Sequence, residues 1–186
     1  MRLFIAVKIP FGPSLRELAE ELKACPGRVK WVEEENFHVT LKFLGEVPEA
    51  LVDTVDRGIK EAVEGVPSSV VVLRGVGAFP NLRRPRVIWV GMDSADVLRE
   101  LQRRVESSLT KLGFEREKKP FHPHVTLGRV KRLEGGTNCF EEVSSRWEEE
   151  VLGKVTVDRV YLIESTLTPR GPLYTVIYTY PLEKRE

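Results

Sequence analysis

The apolar and polar positions of this chain change period several times, and each change predicts an element. Leu3 to Ile9 is a nearly continuous apolar run broken by Pro10, the pattern of a buried strand. Ser14 followed by Glu17 reads as a capping box, and Leu15, Leu18, Ala19 and Leu22 then recur at helical spacing until Pro26-Gly27. Val29 to Val32 is a short strand, and Asn36 to Leu44 is a longer one closed by Gly45. Pro48 opens a second helix whose stripe is Leu51, Val52, Val55, Ile59 and Val63. Val70 to Val76 is again β-prone.

The second half follows a similar order. Val87 to Met92 predicts a strand, and a helix begins near Ala95 with Val97, Leu98, Leu101, Val105, Leu109 and Leu112 in register before Gly113. Phe121 to Val130 is a strand, and Glu141 to Val151 a weaker helix. Val155 to Ile163 and Tyr174 to Tyr180 predict two more strands, with Pro169 and Gly171 in the turn between them. This near-repetition predicts an α+β protein of two pseudo-symmetric lobes, each an antiparallel sheet with outer helices, flanking a central cleft. The expected layout is a single domain over 1–186, with lobes at approximately 1–80 and 86–165 and a C-terminal strand at 172–182 completing a sheet. The basic Arg83-Arg84-Pro85-Arg86 stretch is the expected crossover.

Composition narrows the function classes. With 41% hydrophobic residues among 186, a full core is within reach. Charged residues at 31% exceed the usual quarter, and amides are scarce, a mild thermophile signature. A net charge of +1 argues against a general nucleic-acid coat, so any RNA contact must come from local patches. Cys25 and Cys139 lack CxxC spacing and support neither a zinc ribbon nor a disulfide scaffold. The run after Met1 is too short for a signal peptide, and no apolar stretch reaches membrane-spanning length. The expectation is a soluble, cytoplasmic protein.

The candidate chemistry lies in a repeated tetrapeptide. His-Val-Thr-Leu occurs at His38 to Leu41 and again at His124 to Leu127, and these copies use two of the three histidines. Residues i and i+2 of a strand share a face. His38 and Thr40 therefore point one way and Val39 and Leu41 the other, as do His124 and Thr126 against Val125 and Leu127. Facing strands would gather two imidazoles and two hydroxyls around one cleft. Unperturbed imidazoles titrate near pH ~6.5, so one can accept a proton while its partner donates one. In-line displacement at a phosphodiester needs both roles, on opposite sides of phosphorus. Thr40 and Thr126 would hold the non-bridging oxygens, and Arg129 is a candidate for offsetting transition-state charge. His122 shares a face with His124, so a three-histidine zinc site is the competing arrangement. The repeat accounts for His124 without a metal and leaves His122 unmatched.

These residues resemble the two-histidine (2H) phosphoesterases, and within them the RNA 2',3'-cyclic phosphodiesterases, also called 2'-5' RNA ligases. The likeness extends over Phe4-Ile5-Ala6-Val7, Trp31-Val32, Phe43-Leu44-Gly45, Gly77-Ala78-Phe79-Pro80, Arg129, and Ser165 through Tyr174, in order along essentially the whole chain. It implies hydrolysis of a 2',3'-cyclic phosphate at an RNA end to a 2'-phosphate, and the reverse joining of tRNA halves through a 2'-5' bond. It also implies that His38 and His124 are acid and base, with Thr40 and Thr126 on the phosphate. The pseudo-symmetry leaves the order of acid and base open, and the favoured assignment has His38 protonate the leaving 3'-oxygen and His124 activate water.

No metal or other cofactor is expected, and the partner is an RNA end, tRNA halves included, bound by a monomer. Arg83, Arg84, Arg86, Lys118, Lys119, Lys131 and Arg132 flank the expected cleft as a track for RNA backbone. Phe43, Phe79, Trp31 and Trp89 are candidates for stacking a base, against the plainer reading as core, and Tyr174 for shaping the pocket. The alternative readings are a phosphodiesterase for small cyclic nucleotides or 2'-5' oligonucleotides, and a non-catalytic protein that binds RNA ends.

Overall fold

Two antiparallel sheets that exchange strands along the chain place the two histidine strands side by side. The computed structural model describes residues 1–134 and 138–184. Its elements run β1 (Arg2–Lys8), α1 (Pro13–Lys23), β2 (Arg28–Trp31), β3 (His38–Glu46), α2 (Val52–Val63), β4 (Ser69–Phe79) and β5 (Val87–Asp93). They continue with α3 (Asp96–Lys111), β6 (His124–Arg132), α4 (Cys139–Trp147), β7 (Val151–Val157), β8 (Arg159–Thr168) and β9 (Gly171–Pro181). One sheet has four strands in the order β3-β1-β8-β9, the other five in the order β2-β6-β5-β4-β7.

The α+β class with two antiparallel sheets is as the sequence predicts, but the lobe boundaries are not. Residues 1–80 and 86–165 do not form separate sheets. β2 and β4 from the first half belong to the five-stranded sheet, while β8 from the second half belongs to the four-stranded one. The helices cross over too. α1 packs on α4 and β7, whereas α2 and α3 pack on each other and reach β9 and β3. Alternation within a strand marks its faces but carries no information about its pairing partner, so the interleaving is invisible to it.

Three local expectations also change. The run from Val155 to Ile163 is two strands in two sheets, because the chain leaves the five-stranded sheet at Asp158 and enters the other at Arg159. The alternation breaks there, with Asp158 and Arg159 polar and exposed in succession, and that doublet marks the transfer. The first helix begins at Pro13 with Gly12 as its cap and no side-chain capping bond, since Pro at the first helical position starts the helix ahead of Ser14. The helix expected at Glu141 to Val151 ends at Trp147, and Val151 already belongs to β7.

Cys25 and Cys139 are joined as a disulfide across 114 residues of sequence, with their Cα atoms 5.7 Å apart. The sequence reading sets aside a disulfide scaffold and does not pair these two cysteines. The bond is a single clasp between the end of α1 and the start of α4, and short-range spacing cannot report it.

The core explains why β1 reads as unbroken. Leu3, Ile5 and Val7 enter the main cluster under the helices, while Phe4 and Ala6 join Ile163 in a smaller cluster on the other face. Each fully buried Leu, Ile or Val contributes about 1.5–3 kcal/mol over its exposed state. The far end of β9 is held to α2 by the Tyr180 hydroxyl, which donates to Asp56 at 2.7 Å.

Candidate active site

β3 and β6 are local copies of one another. HVTLKFLGE and HVTLGRVKR show the same order of burial residue by residue, with His and Thr half-buried and Val and Leu buried. Both strands bulge at the Leu of the tetrapeptide. In β3, Ile5 faces Lys42 and Ala6 faces Thr40, which leaves Leu41 unmatched. In β6, Ile88 faces Gly128 and Trp89 faces Thr126, which leaves Leu127 unmatched. A bulge shifts the alternation by one residue. Lys42 and Gly128 therefore turn into the interior, and Phe43 and Arg129 come out on the face of the preceding histidine and threonine. Strict alternation puts Arg129 on the opposite face from Thr126, so the bulge is what makes it available.

Each imidazole is fixed by the same device. The Nδ1 of His38 lies 2.6 Å from the carbonyl of Asn36, and that of His124 lies 2.5 Å from the carbonyl of His122. A carbonyl only accepts, so both rings carry a proton on Nδ1. This leaves Nε2 of each ring as the nitrogen not held by the backbone. The Nε2 of His38 is 2.9 Å from the Thr40 hydroxyl.

Aromatic groups set the ring planes. His38 lies against Phe4 and Tyr174, at 5.2 and 5.5 Å between ring centroids. His124 lies against Phe79 at 5.3 Å, and His122 is held by Trp89 at 4.6 Å. Burial is the main cause that pushes both catalytic candidates below the ordinary imidazole range. The charge of His124 adds to the effect at His38, and the charges of His122 and Arg129 add to it at His124. The two backbone carbonyls oppose these shifts. Arg129 also opposes the upward shift that burial imposes on Tyr174. Its guanidinium is therefore felt from both sheets, at His124 on one and Tyr174 on the other.

The remaining candidates divide into three groups. Phe43, 68% exposed, and Tyr174 line a groove of about 340 Å³ with Arg2, Phe4 and Leu167. Phe4 and Tyr174 form the wall between this groove and His38. Phe79 is exposed beside His124, and Trp89 is half-buried beneath it. Trp31 packs against the main core and crowds Gly128. Arg83, Arg84, Arg86 and Lys119 are all exposed. Arg83 lines a larger groove of about 750 Å³ with Asn81, Glu141 and Glu148, which neither histidine nor threonine of the repeats touches.

Phe4 was not predicted as a site residue. The spacing of Arg2, Phe4, Ala6 and Lys8 could have marked it, since polar residues at both ends show that this face reaches solvent. Among the described residues, no group of three or more His, Cys, Asp or Glu side chains is gathered closely enough to hold a metal ion. No described helix is long and apolar enough to cross a membrane.

Comparison with known proteins places this geometry among relatives. The profile of the 2'-5' RNA ligase superfamily matches residues 11–168. An RNA 2',3'-cyclic phosphodiesterase from Methanothermobacter thermautotrophicus is 34% identical over 184 residues, covering 98% of this chain and 99% of the relative. One from Aeropyrum pernix is 42% identical over 151 residues, covering 81% and 84%. Among solved structures, TT0787 of Thermus thermophilus superposes with a TM-score of 0.79 at 29% identity over the full length of both chains. Escherichia coli LigT complexed with 3'-AMP gives a TM-score of 0.73 at 26% identity, covering 97% of each chain.

Proposed function

Because the chain belongs to the 2'-5' RNA ligase superfamily, we propose that it is an RNA 2',3'-cyclic phosphodiesterase working by acid-base catalysis with two histidines. The observation that carries this reading is the matched anchoring of His38 and His124. Both rings spend Nδ1 on a backbone carbonyl and keep Nε2 for proton transfer. The curated relatives, named for this activity, support the substrate class.

In the hydrolytic direction, His124 takes a proton from water as its oxygen bonds to phosphorus. The P–O3' bond breaks, and His38 gives its proton to the departing 3'-oxygen, leaving a 2'-phosphate. Thr40 and Thr126, two residues on from each histidine and on the same face, hold the non-bridging oxygens. Arg129 offsets the charge that builds on them. With a 5'-hydroxyl in place of water as the nucleophile, the same ring opening joins tRNA halves through a 2'-5' bond. Phe43 and Tyr174 line the groove beside His38 and supply aromatic faces for a base of the RNA, and Phe79 does so beside His124. Arg83, Arg84, Arg86 and Lys119 follow the backbone outside the cleft. No step draws on a metal or other cofactor, and the protein acts as a soluble monomer in the cytoplasm.

The test is an oligonucleotide ending in a 2',3'-cyclic phosphate, incubated with the protein and EDTA. Conversion to the 2'-phosphate by the wild type and not by His38→Ala supports the reading. Failure of the wild type leaves a different phosphodiester or a binding role.

A further inference from the structure

The equivalent positions after the two bulges differ in kind. Gly128 is confined by the strand beside it: a β-carbon there would stand 2.7 Å from Val29 and 2.8 Å from Trp31. Lys42 instead carries a charge into the interior at 6% exposure. Its Nζ donates to Glu106 Oε1 of α3 at 2.8 Å and to the carbonyl of Glu115 at 2.9 Å. The same Oε1 accepts the Glu117 backbone N–H at 2.9 Å. An apolar pair of similar volume fills such a space at equal or better stability, so stability alone does not explain a buried ion pair.

The bonds lead to the segment that delivers the second histidine. Residues 114–123 have no helix or strand, and they connect α3, on the four-stranded side, to His124 at the head of β6 in the other sheet. Next to last in the segment is His122, whose carbonyl orients the His124 ring. Lys42 lies four residues along β3 from His38. From this geometry we propose that Lys42 and Glu106 are positioning residues for the reaction. They tether the His38 strand to the segment carrying His122 and His124, and so fix the gap across which the two imidazoles work. The inference rests on the phosphodiesterase reading above. A misplacement of about 1 Å in a reacting group costs up to about a hundredfold in rate, which is the scale such a tether controls.

Two variants separate a tether from a merely stabilising pair. In Glu106→Gln the amide oxygen still accepts from Lys42 and from the Glu117 N–H. The thermal midpoint falls, but kcat measured well below that midpoint is kept. In the double variant Lys42→Met/Glu106→Leu, apolar side chains refill the space and the thermal midpoint recovers, but every bond to Glu115 and Glu117 is gone. For an oligonucleotide with a 2',3'-cyclic phosphate end, kcat then falls by about tenfold or more while KM moves by less than about threefold.

Wild-type kcat in the double variant overturns the proposal, and so does activity that simply follows the thermal midpoint in both variants. If the wild type itself does not turn over the substrate, the functional reading fails and the tether is read by NMR. The ring protons of His122 and His124, shifted by Phe79 and Trp89, move toward free-imidazole positions in the folded double variant if the tether is real. Unchanged shifts refute it.

Discussion

The ring of Trp89 covers Gly77 on the neighbouring strand: a β-carbon built at Gly77 would stand 2.2 Å from two ring atoms. The indole is therefore seated where only a hydrogen fits, and from that seat it supports Phe79 and His122 beside His124. Gly77→Ala forces the ring off its seat. Turnover of an RNA 2',3'-cyclic phosphate is expected to fall by about tenfold or more, since small displacements near reacting groups are costly. Trp89 fluorescence reports the displacement independently. Wild-type activity together with an unchanged emission spectrum would sink the idea.

The division of labour between the histidines can be read from the leaving group. His38→Ala and His124→Ala should each reduce kcat by about two to four orders of magnitude on the natural cyclic ester. With sulfur in place of the 3'-oxygen, the departing thiolate needs no proton. His38→Ala should then regain most of its loss, and His124→Ala should not. Recovery by His124→Ala alone reverses the assignment of acid and base. His122→Ala, which keeps the backbone carbonyl that orients His124, should be the mildest of the three.

Much of this site was legible in the sequence because the tetrapeptide carries its own geometry. His38 with Thr40 and His124 with Thr126 share faces in any strand, and their Val and Leu neighbours are buried as alternation requires. Arg129 was named from its nearness in sequence, but its face depends on the bulge at Leu127, a property of the pairing with β5. Lys42 is lost to sequence reasoning for the same reason. A lysine between Leu41 and Phe43 reads as a solvent-facing residue, and its partners lie 64 and 73 residues away. The lobe boundaries failed because strand partnership is nonlocal: β8 follows β7 after one residue yet enters the other sheet.

The Cys25–Cys139 bond closes a loop of 114 residues between α1 and α4. Constraint of the unfolded chain by a loop of that size is worth about 4–5 kcal/mol in the chain-entropy model. For a protein of this length that corresponds to roughly 8–20 °C in Tm. Cys25→Ser/Cys139→Ser, or the wild type held in reductant, is expected to melt lower by that order in calorimetry. Turnover well below the midpoint should persist, because the pair clasps helices and supplies nothing to the histidines. Equal melting of the oxidised and reduced forms contradicts the assignment of the bond as a stabilising clasp.

The two depressed imidazoles fix the direction of the pH dependence. The proposed mechanism needs one histidine neutral and the other protonated, so kcat/KM should be bell-shaped with limbs that belong to the coupled pair. Burial lowers both, and the positive neighbours His124, His122 and Arg129 lower them further. The optimum of kcat/KM therefore falls on the acidic side of about pH 6.5, the ordinary imidazole value. The same shift has a consequence for stability. The folded pKa values lie below those of the unfolded chain, so this contribution is full above about pH 6.5 and is lost as pH falls through the folded values. Arg129→Met removes one positive neighbour of His124 and should move one limb to higher pH, together with a lower kcat/KM from loss of the proposed phosphate contact. An optimum above neutrality, or a limb indifferent to Arg129, contradicts the placement of that guanidinium at the cleft.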